Sequence, residues 1–324
     1  MYFVLKLKFM KTIKLVTIVI FILIFNSCSK EKRSNKAGEK MQEFVINISK
    51  YARSYDPYFI IIPQNGPDLV YNDLDNESGL NPNYINACSG LGNEEIFYNG
   101  VLDLNDYSLN ILREAKVNLK ILNSDYLSDD SNIADDIKRN TDEGFICFPR
   151  CSSNYYYNQI PDSVINENTN DITTLNDAQN YLYAIGINGE FPTKDSLINT
   201  LKNTNFDIIL IDLFYNNDEL TRNDIDKLKV KANGGKRLVI SYMNIGSAEN
   251  YRYYWKDSWK LHHPLWLKKP YEGYEDEIWV KFWKQDWQDI IFGNDNSYTK
   301  KIIDAGFDGA YLDNVEAYYY LYFD

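Results

Sequence analysis

The chain has 324 residues, 44% hydrophobic, 15% aromatic and 25% charged, with a formal net charge of −12, enough for one large domain or two small ones. No basic stripe accompanies the acidic balance, which argues against a nucleic-acid partner. The two histidines, His262 and His263, are adjacent in a tryptophan-rich loop. That excludes a histidine metal cluster and gives a Ser/His/Asp triad little to work with, so no metal is expected.

From Met10, MKTIKLVTIVIFILIFNSCSK carries lysines, an apolar run from Leu15 to Phe25 and small residues before Cys28. This is the pattern of a secretory signal, too short for a comfortable membrane span, and residues 1–9 read as lying upstream of the true start. Phe25-Asn26-Ser27-Cys28 resembles a bacterial lipobox. The resemblance implies removal of residues 1–27, lipidation of Cys28, residues 28–40 as a polar tether, and a lipid-anchored place in the bacterial cell envelope. The competing reading is ordinary cleavage beside a chance cysteine. Cys88, Cys147 and Cys151 remain, an odd number that makes no disulfide framework, although Cys147 and Cys151 have the option of pairing.

From residue 41, strand-like apolar runs at 59–66, 85–97, 117–126, 144–150, 181–187, 206–214, 237–246 and 307–313 alternate with amphipathic segments. The helix-like segments are 41–54, 129–140, 194–203, 221–233 and 286–306. Thr221 before acidic first-turn residues is a helix N-cap signal, and Asn233-Gly234-Gly235 a helix stop. About eight nearly all-apolar strands separated by helices predict an α/β fold with a parallel sheet covered on both sides. In one unit of this size a (β/α)8 TIM barrel is favoured over an open doubly wound sheet. No glycine-rich phosphate fingerprint follows a strand, so no cofactor is expected. The aperiodic stretch 151–175 reads as a long connection within a single domain, 41–324.

Barrel enzymes assemble their sites at the C-terminal ends of the strands, and carboxylates fall there: Glu94 or Glu95, Asp125, Asp212, Glu249 and Asp313. Asp125 and Asp212 have a plainer reading as helix caps or ion-pair partners, and Glu249 beside Arg252 as half of a structural pair. Asp313 shares a strand face with Tyr311 and is followed by Asn314; a charge at that strand end is costly unless used. Two carboxylates across a cleft, without metal or histidine, are the apparatus of glycoside hydrolysis. Aromatic platforms for sugar rings stand in 251–266, YRYYWKDSWKLHHPLW, with Tyr251 and Trp255 among them; packing within the loop is the plain alternative.

FDIILIDLF, GGKRLVISYMNIGSAENYRYYW, VKFWKQDWQDIIFG and GFDGAYLDNVEAYYY together resemble the endo-α-1,4-polygalactosaminidase family of glycoside hydrolases, family 114. The resemblance spans about 115 residues and implies a (β/α)8 barrel that cleaves galactosamine-containing polysaccharide. In relatives the LDN-type strand is followed by a helix, an IIPQNG-type strand and a G-x-E strand. Here those pieces come first, as MQEFVINISKYARSYDPYFIIIPQNG at 41–66 and SGLGNEEIFYNG at 89–100. The chain therefore reads as circularly permuted, with the family's C-terminal strands in 41–150, the connection at 151–175 and the family's N-terminal strands in 176–324.

By resemblance the catalytic pair is Asp313 and Glu94, with Asp313 as nucleophile, Glu94 as general acid/base and Glu95 as the register alternative. The general acid is expected to have the raised pKa, and the mechanism to be retaining. Substrate contacts are expected from Gln64, Asn65, Asp125, Asp212, Tyr242, Glu249, Tyr251, Arg252, Trp255, Tyr311 and Asn314. Ser247 and Asn250 replace two acids of bacterial relatives, which bears on substrate preference. The expected partners are a partly cationic polysaccharide and a membrane reached through the lipid anchor, for a monomeric enzyme. The competing function is a surface glycan-binding lipoprotein on the same barrel without turnover.

Overall fold

The structure, a computed structural model, describes the backbone of residues 2–151 and 157–323 and the side chains of 29–151, 157–187 and 189–323. The expected processing at Cys28 falls outside the described side chains. Helix α1 spans Tyr2–Tyr55, so the expected tether at 28–40 is instead helical. Its charged surface residues suggested a free linker, but Ser34, Ala37, Met41, Phe44, Val45, Ile48 and Ala52 are all buried. That is a helical stripe facing the core. Each large apolar side chain in it contributes about 1.5–3 kcal/mol by burial, and Ser34 Oγ adds a bond to the Tyr318 carbonyl at 3.1 Å.

Eight parallel strands follow: β1 (Ile60–Pro63), β2 (Gly90–Leu102), β3 (Lys120–Leu127), β4 (Ile146–Cys147), β5 (Tyr181–Ala184), β6 (Ile208–Asp212), β7 (Leu238–Asn244) and β8 (Gly309–Asp313). Five form one sheet in the order β1-β8-β7-β6-β5, and β2-β3-β4 form another. The first strand lies parallel to the last, Ile60 opposite Gly309 and Pro63 opposite Leu312. The two sheets meet at a parallel bridge between Gln64 and Gly92, with Asn65 N donating to Gly92 O at 2.8 Å. At the other edges, the rings of Phe148 after β4 and Tyr181 on β5 lie 5.8 Å apart. β1, β5 and β7 are buried throughout, as expected of strands covered on both faces. One hydrophobic cluster runs from Ala37 to Leu321.

Boundaries moved where local signals outweighed apolar content. Residues 85–87, expected as strand, belong to helix α2 (Pro82–Ala87), because Asn81 caps it and Pro82 opens it. The single helix expected over 286–306 is split into two short helices, Gln285–Ile291 and Tyr298–Ala305, with left-handed Gly293 between them. The Thr221 cap is present, reciprocated by Asp224 in a capping box. After β7 the chain makes an antiparallel excursion not foreseen in the sequence: Ser247–Glu249 pairs with Tyr274–Val280, which pairs with Leu267–Tyr271. Its hairpin turns at Gly273, where φ is +86°, over the C-terminal ends of the strands.

The opposite end is closed by the connection after residue 157. Lys231 Nζ reaches Asp207 Oδ1 at 2.9 Å and the Asn168 carbonyl at 3.0 Å, Asn168 Nδ2 reaches Asp207 Oδ2 at 3.0 Å, and Asp171 accepts from Lys236 N at 2.8 Å. Lys231 and Asp207 are fully buried.

Candidate active site

The strand ends turn sharply at the cleft. Asn65 after β1, Glu95 within β2 and Asn314 after β8 all take left-handed backbone, with φ of 62°, 57° and 60°. Asparagine tolerates that conformation, whereas at glutamate it is strained. Two glycines permit the close approach of neighbouring strands: a Cβ on Gly92 would lie 1.8 Å from the Tyr311 hydroxyl, and one on Gly246 1.9 Å from the Asn314 carbonyl. The turns enclose a cleft of about 780 Å³, whose lining includes Gln64, Asn65, Glu94, Asp212, Tyr242, Glu249, Tyr251, Arg252, Asp313 and Asn314. Ten of the residues singled out in the sequence are thus brought together.

Asp313 and Glu94 reach this cleft from different strands. Asp313 Oδ2 accepts from the Tyr242 hydroxyl at 2.6 Å, and Oδ1 from Asn314 N at 2.8 Å. Burial, with the negative charge of Glu94 adding to it, pushes the Asp313 carboxyl up to about 7. Glu94 Oε2 accepts from Asn65 Nδ2 at 3.0 Å. Glu94 Oε1 accepts from the Tyr157 hydroxyl and lies 3.6 Å from Arg150 Nη2. The raised carboxyl is thus that of Asp313, to which the resemblance assigns the nucleophile's role.

Around this pair the cleft is strongly acidic. Its lining holds nine carboxylates and two arginines, Arg150 and Arg252. Arg252 is committed to one wall, bonding Glu249 at 2.7 and 3.1 Å and Asp212 at 2.9 Å; Tyr251 donates to Glu249 at 2.5 Å. Glu249 is thus the structural ion-pair partner that was its plainer reading. Burial raises Asp212 against the pull of Arg252. Glu277, from the excursion, accepts from Ser247 Oγ at 2.5 Å and is raised to about 8, mainly by burial and then by Glu249. Glu316 is also raised to about 8, by burial and by Asp313. Among the described residues, no group of three or more His, Cys, Asp or Glu is arranged to hold a metal ion.

Four expected site residues lie elsewhere. Asp125 is fully buried, accepting from Ile96 N at 2.7 Å and Asn123 Nδ2 at 2.8 Å, so it braces the kink in β2. Tyr311 is 1% exposed and lies beneath the cleft floor, where period-two alternation gave the face but not the depth. Trp255 packs on Trp259 with ring centroids 5.5 Å apart, and Trp259 on Trp266 at 5.0 Å; these tryptophans fill the loop, which was the plain alternative. Glu95 is outside the cleft lining, 3.2 Å from Arg150 Nη2.

Glu277, Glu316, Arg150, Tyr157, Tyr183 and Tyr271 line the cleft without having been singled out. Glu316, three residues after Asp313 in LDNVE, carried a signal, since one short turn returns it to the same site. The others come from the connection, the excursion or buried positions, which no local pattern reports.

The raised carboxyls have a consequence for stability. Asp313 at about 7 and Glu277 and Glu316 at about 8 all titrate above their unfolded values. Their contribution to stability is complete below about pH 4 and is lost as pH rises through these values. The calorimetric Tm is therefore expected to fall between pH 5 and pH 9; a Tm that rises over this interval contradicts the assignment.

Residues 162–321, just under half of the chain, match the model of glycoside-hydrolase family GH114, and this match supports a glycoside hydrolase on a (β/α)8-type fold. Curated relatives are uncharacterized proteins. One from Thermotoga maritima is 33% identical over 120 residues, 37% of this chain and 36% of its own length. One from Methanocaldococcus jannaschii is 34% identical over 157 residues, 48% of this chain and 41% of its own length. One from Deinococcus radiodurans is 31% identical over 121 residues, 37% of each. The chain thus spans about two fifths of the curated relatives it matches.

Proposed function

We propose that the protein is an endo-acting glycoside hydrolase of α-1,4-linked galactosamine-containing polysaccharide, with Asp313 and Glu94 as its catalytic pair. The observation that carries this reading is the meeting of those two carboxylates in a cleft whose acids outnumber its bases nine to two. Such a cleft attracts a chain bearing ammonium groups and rejects polyanions. Burial raises the Asp313 carboxyl to about 7, so near neutrality it holds a proton much of the time. An amino-sugar cation entering beside it favours the carboxylate form, and the proton passes from Asp313 to Glu94; Asp313 then attacks the anomeric carbon while Glu94 gives that proton to the leaving oxygen. Glu94 then takes the proton of the water that resolves the glycosyl intermediate, giving net retention.

An endo mode is supported by a second hollow lined by Phe214, Asn216, Asn217 and Tyr253, which shares Ile185, Asp212, Tyr251 and Arg252 with the main cleft. A polymer has a continuous path across that shared wall. The fold belonging to this reading is a closed, circularly permuted eight-stranded barrel. It is supported by the parallel pairing of β1 with β8 and by the four strands that precede the family-matched residues. The test is reducing-end release from partially deacetylated α-1,4-galactosaminan beside its fully acetylated form. Faster release from the deacetylated polymer, with kcat/KM falling as salt screens the cleft, is expected; faster release from the acetylated polymer rejects the charge argument.

The same reading includes a lipid anchor at Cys28, supported by the lipobox-like run before it. Cys28→Ser is expected to move the protein from the membrane fraction to the soluble one. Unchanged fractionation with an unmodified N-terminal peptide in mass spectrometry removes the anchor.

A further inference from the structure

We propose that Tyr157 is the positioning residue that sets Glu94, so that the connection between β4 and β5 supplies part of the catalytic apparatus. This rests on the reading of Glu94 as catalytic. Tyr157 lies upstream of the family-matched residues 162–321, in a stretch whose composition reads as a linker.

The geometry makes Tyr157 part of the site. Its side chain is 6% exposed, and its hydroxyl donates to Glu94 Oε1. Its ring stacks on Tyr183, with centroids 3.7 Å apart and planes 26° from parallel. The guanidinium carbon of Arg150 stands 4.6 Å from the ring centroid. The backbone is tied down as well, since Gly186 N donates to the Tyr157 carbonyl at 3.0 Å. Tyr183 in turn donates to Gln64 Oε1 at 2.8 Å, so the stack is anchored at the end of β1.

Glu94 needs this support because it stands at a break. The β2–β3 pairing loses register after Glu94 and resumes at Asn99, and left-handed Glu95 follows it directly. A side chain on such a kink is oriented by what it bonds. Asn65 holds one carboxylate oxygen, while Tyr157 and Arg150 share the other. Tyr157 is the one neutral hydroxyl among these partners. Burial and the charge of Glu94 keep that hydroxyl protonated far above its ordinary range, so it acts only as a donor. Donation to the carboxylate fixes its orientation. When Glu94 gives its proton to the leaving oxygen, the same bond holds the carboxylate that results.

Tyr157→Phe removes the donor and keeps the ring on Tyr183 and Arg150. In the full chain it is expected to lower kcat about tenfold, the scale of a lost bond to a charged group, with KM nearly unchanged and the alkaline limb of the pH–rate profile, which the general acid sets, displaced upward. The thermal midpoint should hold within a few degrees, which a packing role alone would not combine with a displaced profile. The 13C resonance of the Glu94 side-chain carboxyl, followed against pH in both proteins, supplies a readout independent of turnover. A Glu94 resonance that titrates identically in wild type and Tyr157→Phe overturns the inference whether or not the protein cleaves glycan. A resonance that moves, in a wild type that cleaves no galactosaminan, supports the contact and overturns the catalytic reading of Glu94 alone.

Discussion

Asp313→Asn is expected to lower kcat by about three orders of magnitude or more, with glycan affinity and Tm close to wild type. Asparagine keeps the shape of the side chain and its acceptor toward the Tyr242 hydroxyl, now at 2.6 Å, but can neither attack nor carry the negative charge the transition state demands. Tm is expected to hold because burial already raises the Asp313 pKa to about 7, so near neutrality the neutral amide replaces a group held uncharged much of the time. Glu94→Gln should lose activity on the same scale, since an amide transfers no proton. Glu95→Gln should stay within about tenfold of wild type, because Glu95 is outside the cleft lining and turned to Arg150 at 3.2 Å. Steady-state kinetics on one polymer preparation checks all three. A dead Glu95→Gln beside an active Glu94→Gln would move the glutamate role by one residue.

The second large effect concerns stability at the far end of the strands. Lys231→Met leaves Asp207 buried without its cation, and breaking a buried pair from one side typically costs about 3–5 kcal/mol. In a chain of this size that is on the order of 10 °C in Tm. The connection should loosen with it, since Asn168 is tied to both partners. Activity per folded molecule should survive, because Asp207 and Lys231 precede β6 and β7 while the cleft lies at their other ends. The double variant Lys231→Met/Asp207→Leu should recover much of the loss. A Tm unchanged in Lys231→Met would mean that water reaches the pair and supports it.

The sequence carried much of the α/β pattern, because strands covered on both faces are written as apolar runs such as Ile60-Ile61-Ile62 and Ile208-Ile209-Leu210-Ile211. It also marked the strand-end carboxylates, since a charge closing an apolar run is conspicuous. Depth and direction were not legible. Asp125 and Asp212 look alike as residues after apolar runs, yet one braces the β2 kink and the other lines the cleft, bonded to Arg252. Ser34 and Ala37 lie among charged residues, and only the three-dimensional helix reveals them as one stripe on the core. Glu277 enters the site through an excursion of more than thirty residues after β7, and its pairing opposite Glu249 depends on a register set by tertiary contacts. Tyr157 is harder still, since no periodic element carries it.

The most direct test of the central claim is the release of reducing ends from partially deacetylated α-1,4-galactosaminan, measured side by side for the wild type and for Asp313→Asn/Glu94→Gln. The account predicts steady release of oligosaccharides by the wild type and none above background by the double variant, with both proteins binding the polymer. Equal release by the two proteins, or polymer bound but never cleaved by the wild type, would contradict it, and the second result would make the cleft a glycan-binding site.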